Sequence, residues 1–351
     1  MPCVTPAENV RVLVTGANGY LAMWIIKALL DQGYAVRGTV RSKERAKDLQ
    51  DYFNSYSGRA EWVIVEDITK EGAYDEVVKN VNAIEHLASP SKGSTDDPDG
   101  HGEEFIKPAV DGTLSILRSA LKFGNKLQRI ILTSSISAII RPVADSEPFV
   151  IFDENDWSDE FVEAIKRKGS QSSFVDKYYA SKNLAERGQS ILSVNLGAWN
   201  FYHQHKANIA WDLVVLNPGL GPIQDFKDLE SLPKSLSIWY QNIFENQSDD
   251  LLKAMWEYVD IQDVKDAHIE ALKEEAAGER IILCAGNLIF SARPELYSGN
   301  LSRGNPDLPR RIAYQYGTEK GKNILGVQYK SPEDTILSMA AYFETRGWLR
   351  K

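Results

Sequence analysis

The segment Arg11–Ala22 is the sequence feature that most constrains the fold. It consists of a run of β-forming residues, a turn that contains two glycines, and the start of a helical pattern. Gly16, Gly19 and Ala22 have the spacing of a dinucleotide-binding turn: the first glycine permits a tight turn, the second lets the backbone approach a pyrophosphate, and the small third residue lets the helix pack on the strand. An ordinary strand–helix turn is the alternative, but the flanking strand and helix favour the dinucleotide site.

Short β-rich runs alternate with helical patterns up to Leu216. The predicted strands are Val10–Thr15, Tyr34–Val40, Glu61–Val65, Ala83–Ala88, Arg129–Thr133 and Trp211–Leu216. The clearest helical patterns are Tyr20–Gln32, Glu103–Phe123 and Phe174–Leu192. Strands separated by helices imply right-handed crossovers, so the sequence predicts an α/β fold with a doubly wound parallel sheet.

Composition and charge exclude several classes of function. The net charge of -9 argues against a nucleic-acid or anionic-membrane partner. No apolar run approaches the ~20 residues that span a bilayer, and residues 1–9 are too short and polar for a signal peptide. Cys3 and Cys284 lie far apart, and His203 and His205 have no ligand partners nearby, so neither a disulfide framework nor a metal site is expected. We expect a cytoplasmic protein.

The end of the second predicted strand bears on the choice of cofactor. A site that prefers NAD usually carries an acidic residue about 20 residues beyond the glycines. Here the chain has Arg37 and Arg41 and no acid. A guanidinium suits a 2′-phosphate, so NADPH is favoured, with Arg41 the better candidate because Arg37 lies within the strand and could point to solvent. Asp67 could accept a hydrogen bond from the adenine amino group or cap a helix near Thr69.

Two later segments carry groups suited to proton transfer. Tyr178 and Lys182 are four residues apart, so they share one face of a helix. The pKa of a free phenol is about 10, and a neighbouring ammonium favours the phenolate, so such a pair can protonate a carbonyl oxygen as hydride reaches its carbon. Ser134 and Ser135 directly follow the predicted strand Arg129–Thr133, at a position where a serine can stabilise the substrate oxygen or cap local backbone.

These motifs together resemble the extended short-chain dehydrogenase/reductase family, and within it the dihydroflavonol-reductase-like carbonyl reductases, which include fungal aldehyde and methylglyoxal reductases. The resemblance covers nearly the whole chain and rests on five segments: the glycine turn, His86–Pro90, Leu132–Ser135, Tyr178 to Lys182, and Val259–His268. It implies a catalytic triad of Ser135, Tyr178 and Lys182, with Ser134 as a register alternative. It also implies that His268 is structural.

The same resemblance implies further cofactor contacts, at Ala88 and Ser89 in the cleft and at Asn217 and Pro218 near the nicotinamide. Together with the glycine turn and the strand ends, this gives an expected set of cofactor-binding residues: Gly16, Asn18, Gly19, Tyr20, Leu21, Arg41, Asp67, Ile68, Ala88, Ser89, Tyr178, Lys182, Asn217 and Pro218.

Two features depart from the wider family. Asp111 stands where many members have asparagine, which puts an asparagine-supported proton relay in doubt. The serine motif continues into Ile136 and Ser137 rather than the Tyr-Gly pair common in nucleotide-sugar enzymes. The leading hypothesis is therefore an NADPH-dependent carbonyl reductase that acts reversibly on a small-molecule aldehyde or ketone, as a monomer or homodimer. The alternatives are a sugar-nucleotide epimerase or dehydratase and a non-catalytic dinucleotide sensor.

The strand–helix alternation weakens after Asn217-Pro218-Gly219. We expect residues 1–217 to form the cofactor-binding domain that carries the catalytic residues. Residues 218–351 should form mainly a smaller substrate-binding lobe, with 259–275 returning to the first domain and an amphipathic helix over Ser331–Thr345. Aromatic residues in this lobe could line an apolar substrate pocket or pack the lobe's own core: Trp239, Tyr240, Phe244, Trp256 and Tyr258.

Overall fold

A seven-stranded parallel sheet forms the centre of the molecule. The computed structural model describes residues 4–7, 9–89, 103–188, 197–221, 248, 256–288 and 311–348. The strands of the sheet are β1 (Arg11–Thr15), β2 (Ala35–Val40), β3 (Ala60–Ile64), β4 (Ala83–His86), β5 (Arg129–Thr133), β7 (Asp212–Pro218) and β9 (Arg280–Leu283). Their spatial order is β3-β2-β1-β4-β5-β7-β9, which confirms the predicted doubly wound α/β fold.

Helices cover both faces of this sheet. In chain order the helices of the described residues are α1 (Tyr20–Asp31), α2 (Lys43–Tyr52), α3 (Glu103–Phe123), α4 (Asp159–Lys168), α5 (Phe174–Glu186), α6 (Ala198–His205), α7 (Ile261–Glu270), α8 (Glu319–Leu325) and α9 (Pro332–Thr345). Successive residues of β1 point to opposite faces: Val12 and Val14 join the core under α1 and α7, whereas Leu13 joins the core under α3 and α5. Both faces are therefore buried, as a parallel sheet requires.

The direction of strand order reverses at the centre of the sheet. β1 lies between β2 and β4, and Thr15 at the end of β1 is paired with His86 at the end of β4. Open α/β sheets bind ligands in the crevice outside the carboxyl ends of the strands at such a reversal. The fold thus places the candidate cleft beside Thr15 and His86.

Two small two-stranded sheets lie outside this frame. β6 (Val150–Phe152) pairs in parallel with β11 (Tyr314–Tyr316), and β8 (Trp256–Tyr258) pairs antiparallel with β10 (Gly286–Leu288). After β8 the chain returns to the main sheet, since α7 packs on α1 and β9 pairs with β7. The division into domains at residue 217 stays a prediction.

None of the helices within the described ranges is long and apolar enough to cross a membrane. The same residues contain no group of three or more His, Cys, Asp or Glu side chains placed to hold a metal ion.

Candidate active site

The glycine turn after β1 has the geometry of a phosphate-binding corner. Gly16 has a φ of +65°, and a Cβ at this position would lie 3.1 Å from the Cα of Ala88, so a side chain would strain the turn and fill the space beside β4. Gly19 precedes α1 without a side-chain cap, and the first turn of α1 has no acidic residue. The amino end of α1 therefore keeps its N–H groups and positive dipole end for an anion.

Three further residues of the turn differ in exposure. Asn18 is exposed, whereas the side chain of Leu21 is buried in the core under α1. Burial, and the nearby Tyr178, raise the pKa of the Tyr20 phenol to about 12. The turn thus brings the Tyr20 phenol close to Tyr178, the predicted catalytic tyrosine. From the sequence, Tyr20 was expected only as a cofactor contact at the start of α1.

The two arginines of the second strand have different environments. The Arg37 guanidinium is largely buried, pairs with Glu61 at 2.6 Å and donates to the carbonyls of Val77 and Lys79, both at 2.8 Å. The suggestion that Arg37 points to solvent is therefore wrong, because tertiary contacts neutralise and bury it. Arg41 is exposed at the end of β2 and makes no hydrogen bond or ion pair within the described chain.

Asp67 caps a local turn with one of its oxygens. Its Oδ1 accepts hydrogen bonds from the Thr69 N–H at 2.9 Å and the Thr69 hydroxyl at 2.7 Å. These bonds hold the pKa of Asp67 below its ordinary value, with smaller contributions from Lys70 and Arg41. The Asp67 side chain is exposed, so Oδ2 is available to accept from a ligand. The next residue, Ile68, lies against α3, where it would contact any side chain placed at Gly112.

The segment that follows β4 approaches the glycine turn. The Thr15 hydroxyl oxygen accepts hydrogen bonds from the N–H groups of Leu87 and Ala88, at 3.1 and 3.0 Å. Ala88 and Ser89 then line a cavity of about 30 Å³ that Lys182 also lines. The strand end, the glycine turn and the predicted catalytic lysine thus meet at one place.

Helix α5 positions Tyr178 and Lys182. It begins with a capping box, in which the Ser173 hydroxyl accepts from the Asp176 N–H and the Asp176 carboxylate accepts from the Ser173 N–H. The Tyr178 ring lies parallel to that of Phe174, with centroids 6.3 Å apart. The Lys182 ammonium lies 5.9 Å from the centre of the Tyr178 ring and has no hydrogen-bond or salt-bridge partner in the described part of the chain.

The two candidate serines have different partners. The Ser134 hydroxyl is buried and donates to Glu186 Oε2 at 2.5 Å. Ser135 is half-buried and caps the short helical turn Ile136–Ala138, where its oxygen accepts from the Ser137 N–H at 3.1 Å. This turn packs against α5, so Ser135 lies beside the helix that carries Tyr178.

Asn217 joins the end of β7 to this serine turn. Its Nδ2 donates to the Ser135 carbonyl at 3.1 Å and to Glu186 Oε2 at 2.7 Å. Pro218 follows as the last residue of β7. The carboxyl ends of β5 and β7 are therefore held together at the position expected for the nicotinamide side of the cleft.

With this geometry established, comparisons with known proteins identify the family. The family model for NAD dependent epimerase/dehydratase matches residues 12–163. Tetraketide alpha-pyrone reductase 1 of Arabidopsis thaliana is 33% identical over 354 residues, covering 97% of each chain. The chain belongs to this epimerase/dehydratase family. It is thus a member of the extended short-chain dehydrogenases/reductases, as its motifs had indicated.

Two other relatives extend the comparison within the family. Aldehyde reductase 2 of Sporidiobolus salmonicolor is 33% identical over 270 residues, which is 76% of this chain and 73% of that protein. The solved structure of yeast methylglyoxal/isovaleraldehyde reductase complexed with NADPH superposes with a TM-score of 0.79 at 27% identity. The match covers 97% of this chain and 100% of the yeast reductase chain.

Glu186 is a residue at this family site that sequence reasoning missed. It is 1% exposed, and besides Ser134 and Asn217 it accepts from Arg280 Nε at 2.5 Å. Arg280 in turn stacks on Trp157, with its guanidinium carbon 3.6 Å from the ring centre. The available signal was spacing, since Glu186 follows Lys182 by one more helical turn and so shares the face of Tyr178 and Lys182.

A second buried polar group lies on the other face of the sheet. His268 in α7 pairs through Nδ1 with Glu85 of β4 at 2.7 Å, and its Nε2 lies 3.3 Å from the Thr133 hydroxyl. Burial raises the pKa of Glu85, an effect that His268 opposes. Both side chains are fully buried. This placement is consistent with the structural role that the sequence suggested for His268.

The expected substrate aromatics are only partly described. Trp239, Tyr240 and Phe244 lie outside the described residues. Trp256 in β8 is half-buried, with an indole N–H that has no partner in the described ranges. Tyr258 is 1% exposed and donates to the Lys330 carbonyl, so it packs the core.

Proposed function

We propose that this protein is an NADPH-dependent reductase of aldehydes or ketones. The observation that carries the proposal is the pairing on α5, where the Lys182 ammonium faces the Tyr178 ring without a competing carboxylate partner among the described residues. The family relatives named above as reductases of aldehydes and of a pyrone, and the NADPH in the yeast structure, support it.

The described residues fit this cofactor. Gly16 makes a tight turn against Ala88 that a side chain would strain, and α1 begins without a side-chain cap or an acid, so its amino end suits a pyrophosphate. Arg41, which has no ion-pair partner among the described residues, supplies a cation for the 2′-phosphate, and Asp67 Oδ2 supplies an acceptor for the adenine amino group. When bound, NADPH supplies the hydride that reduces the carbonyl carbon.

The protein's own residues then handle the oxygen and its proton. Ser135 is assigned to donate a hydrogen bond to the substrate oxygen in place of its present 3.1 Å bond to Ser137 Oγ, because the Ser134 hydroxyl is buried against Glu186. Tyr178 gives its phenolic proton to that oxygen, and Lys182 favours the resulting phenolate and binds the ribose hydroxyls. In the reverse direction Tyr178 takes the proton from an alcohol.

The test is turnover by the purified protein with NADPH and a panel of aldehydes and ketones that includes methylglyoxal, isovaleraldehyde and bulkier ketones. Tyr178→Phe should lower kcat by about 10²–10⁴-fold while NADPH still binds, because only the proton donor is lost. Tyr179→Phe is the matched control, since Tyr179 packs edge-on against Phe161 at 4.7 Å and is assigned no proton.

Two results would contradict the proposal. If Tyr179→Phe abolished turnover and Tyr178→Phe did not, the register of the triad would be wrong. If the protein bound NADPH but reduced no carbonyl in the panel, a dinucleotide sensor would become the better description.

A further inference from the structure

The tautomer of His86 is fixed by the hydrogen bonds of Thr15. A hydroxyl oxygen can accept two hydrogen bonds and donate one. Thr15 Oγ1 already accepts from the N–H groups of Leu87 and Ala88, and it lies 2.9 Å from His86 Nδ1. The Thr15 hydrogen must therefore be donated to Nδ1, so the proton of a neutral His86 is on Nε2.

His86 is held in that neutral form. The side chain is 2% exposed, and burial, together with the nearby Lys182, lowers its pKa to about 4. A neutral ring with Nδ1 accepting has one remaining polar group, the Nε2–H. That group is buried and has no partner within the described part of the chain. A buried N–H without an acceptor is costly, which points to an acceptor supplied from outside the protein.

The space beside His86 has the size and polarity of a hydration site. His86 lines the cavity of about 30 Å³ together with Thr113, Thr133 and Lys182. A cavity of this size has room for at least one water molecule, and a water needs two to four polar partners. The Lys182 ammonium also has no hydrogen-bond acceptor among the described residues, and Lys182 lines the same cavity, so it is a second donor there.

We propose that this cavity binds a water molecule, which accepts hydrogen bonds from His86 Nε2–H and from the Lys182 ammonium. The hydrogens of the water require acceptors. The Thr113 hydroxyl in the cavity wall is one, because it donates to the Ala109 carbonyl at 3.0 Å and accepts no hydrogen bond from the described residues. The water links the end of β4 to α5. His86 is thereby a positioning residue for Lys182.

Asp111 has no part in this site. It lies on the same helix as Thr113, but its carboxylate pairs with Lys107 and it does not line the cavity. The buried donor at the cavity is therefore His86 of β4, and not the residue at the helix position where the family commonly has asparagine.

The water itself is tested on the wild-type protein. A high-resolution crystal structure with NADPH should show a water within hydrogen-bond distance of both His86 Nε2 and Lys182 Nζ. Nitrogen-15 NMR should show His86 protonated at Nε2 and not at Nδ1. A cavity without this water, or a proton on Nδ1, overturns the inference. These measurements do not depend on turnover, so the failure of the proposed function would leave them readable.

The positioning role, which rests on the proposed function, is tested by two variants that separate the two ring nitrogens. Gln at position 86 places an amide N–H where Nε2 stands and gives up the Thr15 contact. Asn keeps an acceptor for Thr15 and gives up the donor to the water. We expect kcat of His86→Gln to exceed that of His86→Asn by about tenfold, at similar NADPH affinity and melting temperature. The opposite order, or equal losses, would assign His86 to the Thr15 contact or to packing and overturn the positioning role.

Discussion

Replacing Glu186 with glutamine should destabilise the protein far more than the loss of an exposed carboxylate. In the described part of the chain, the three groups bonded to the Glu186 carboxylate are all donors: the hydroxyl of Ser134, Nδ2 of Asn217 and Nε of Arg280. A glutamine has only one oxygen, so in either orientation its NH₂ faces a donor. The substitution also leaves the Arg280 charge buried without its counter-ion.

The size of the effect follows from the burial of the pair. Breaking a buried ion pair by removing one partner costs about 3–5 kcal/mol. Arg280 would keep its bonds to the carbonyls of Glu154 and Asp156, at 2.9 and 2.7 Å, and its stacking on Trp157. We therefore expect the lower end, about 3 kcal/mol, in the free energy of unfolding measured by urea denaturation.

Asp51→Asn is the matched control for this measurement. Asp51 pairs with Lys47 along α2, and the two side chains are 66% and 78% exposed. Exposed pairs of this kind contribute about 0.2–1 kcal/mol. If Glu186→Gln and Asp51→Asn lowered the free energy of unfolding by the same amount, the argument that Glu186 anchors the serine turn through a buried ion pair would be refuted.

Three further outcomes can be measured. Arg41→Ala should reduce the preference for NADPH over NADH about ten- to a hundredfold in binding affinity, and equal affinity for both cofactors in the wild type would contradict this assignment. Burial and the nearby Asp260 raise the pKa of Asp263 to about 6. The folded protein therefore keeps the Asp263 proton that the unfolded chain releases near pH 4, and the free energy of unfolding falls as pH rises from about 4 through 6. Asp263→Asn should then stabilise the protein by about 1–2 kcal/mol at pH 7 and not at pH 4, and a gain independent of pH would exclude this cause. Gly38→Ala should destabilise by about 1–3 kcal/mol, because the new Cβ would lie 2.5 Å from the Trp62 ring; unchanged urea unfolding would show that the ring can move.

The local sequence pattern was sufficient to predict the helices and strands that have both a regular spacing of apolar residues and clear boundary residues. The glycine turn, β1 and α1 were predicted within a residue or so, because Gly16 and Gly19 mark the boundary directly. In contrast α2 was missed, because Leu49 is its one buried residue and the helix shows little apolar period. The last strand of the sheet, β9, was missed because it is short and pairs with β7, which lies more than 60 residues earlier in the chain.

The same distinction applies to the site. Spacing along the sequence predicts that Tyr178 and Lys182 lie together, since residues four apart share one face of a helix. The partners of buried charges are set by tertiary packing, as for Glu186 and Arg280, which lie 94 residues apart, and for Glu85 and His268, which lie 183 apart. A single sequence contains no local pattern that would reveal such pairs.

Buried polar groups hold the frame of the predicted active site, apart from the lobe that is expected to bind the substrate. Thr15 ties the glycine turn to Ala88, and Asn217 ties the end of β7 to both Glu186 and the Ser135 backbone. The Thr15 hydroxyl oxygen and Asn217 Nδ2 are bonded to groups on other segments of the chain, so a shift of any one element would break these buried hydrogen bonds. The predicted triad and the cofactor turn are therefore fixed by contacts within the sheet and α5, independently of the residues expected to contact the bulk of a substrate. Substitutions in the lobe should alter which carbonyl compound is accepted, whereas substitutions at these anchors should lower turnover with every substrate alike.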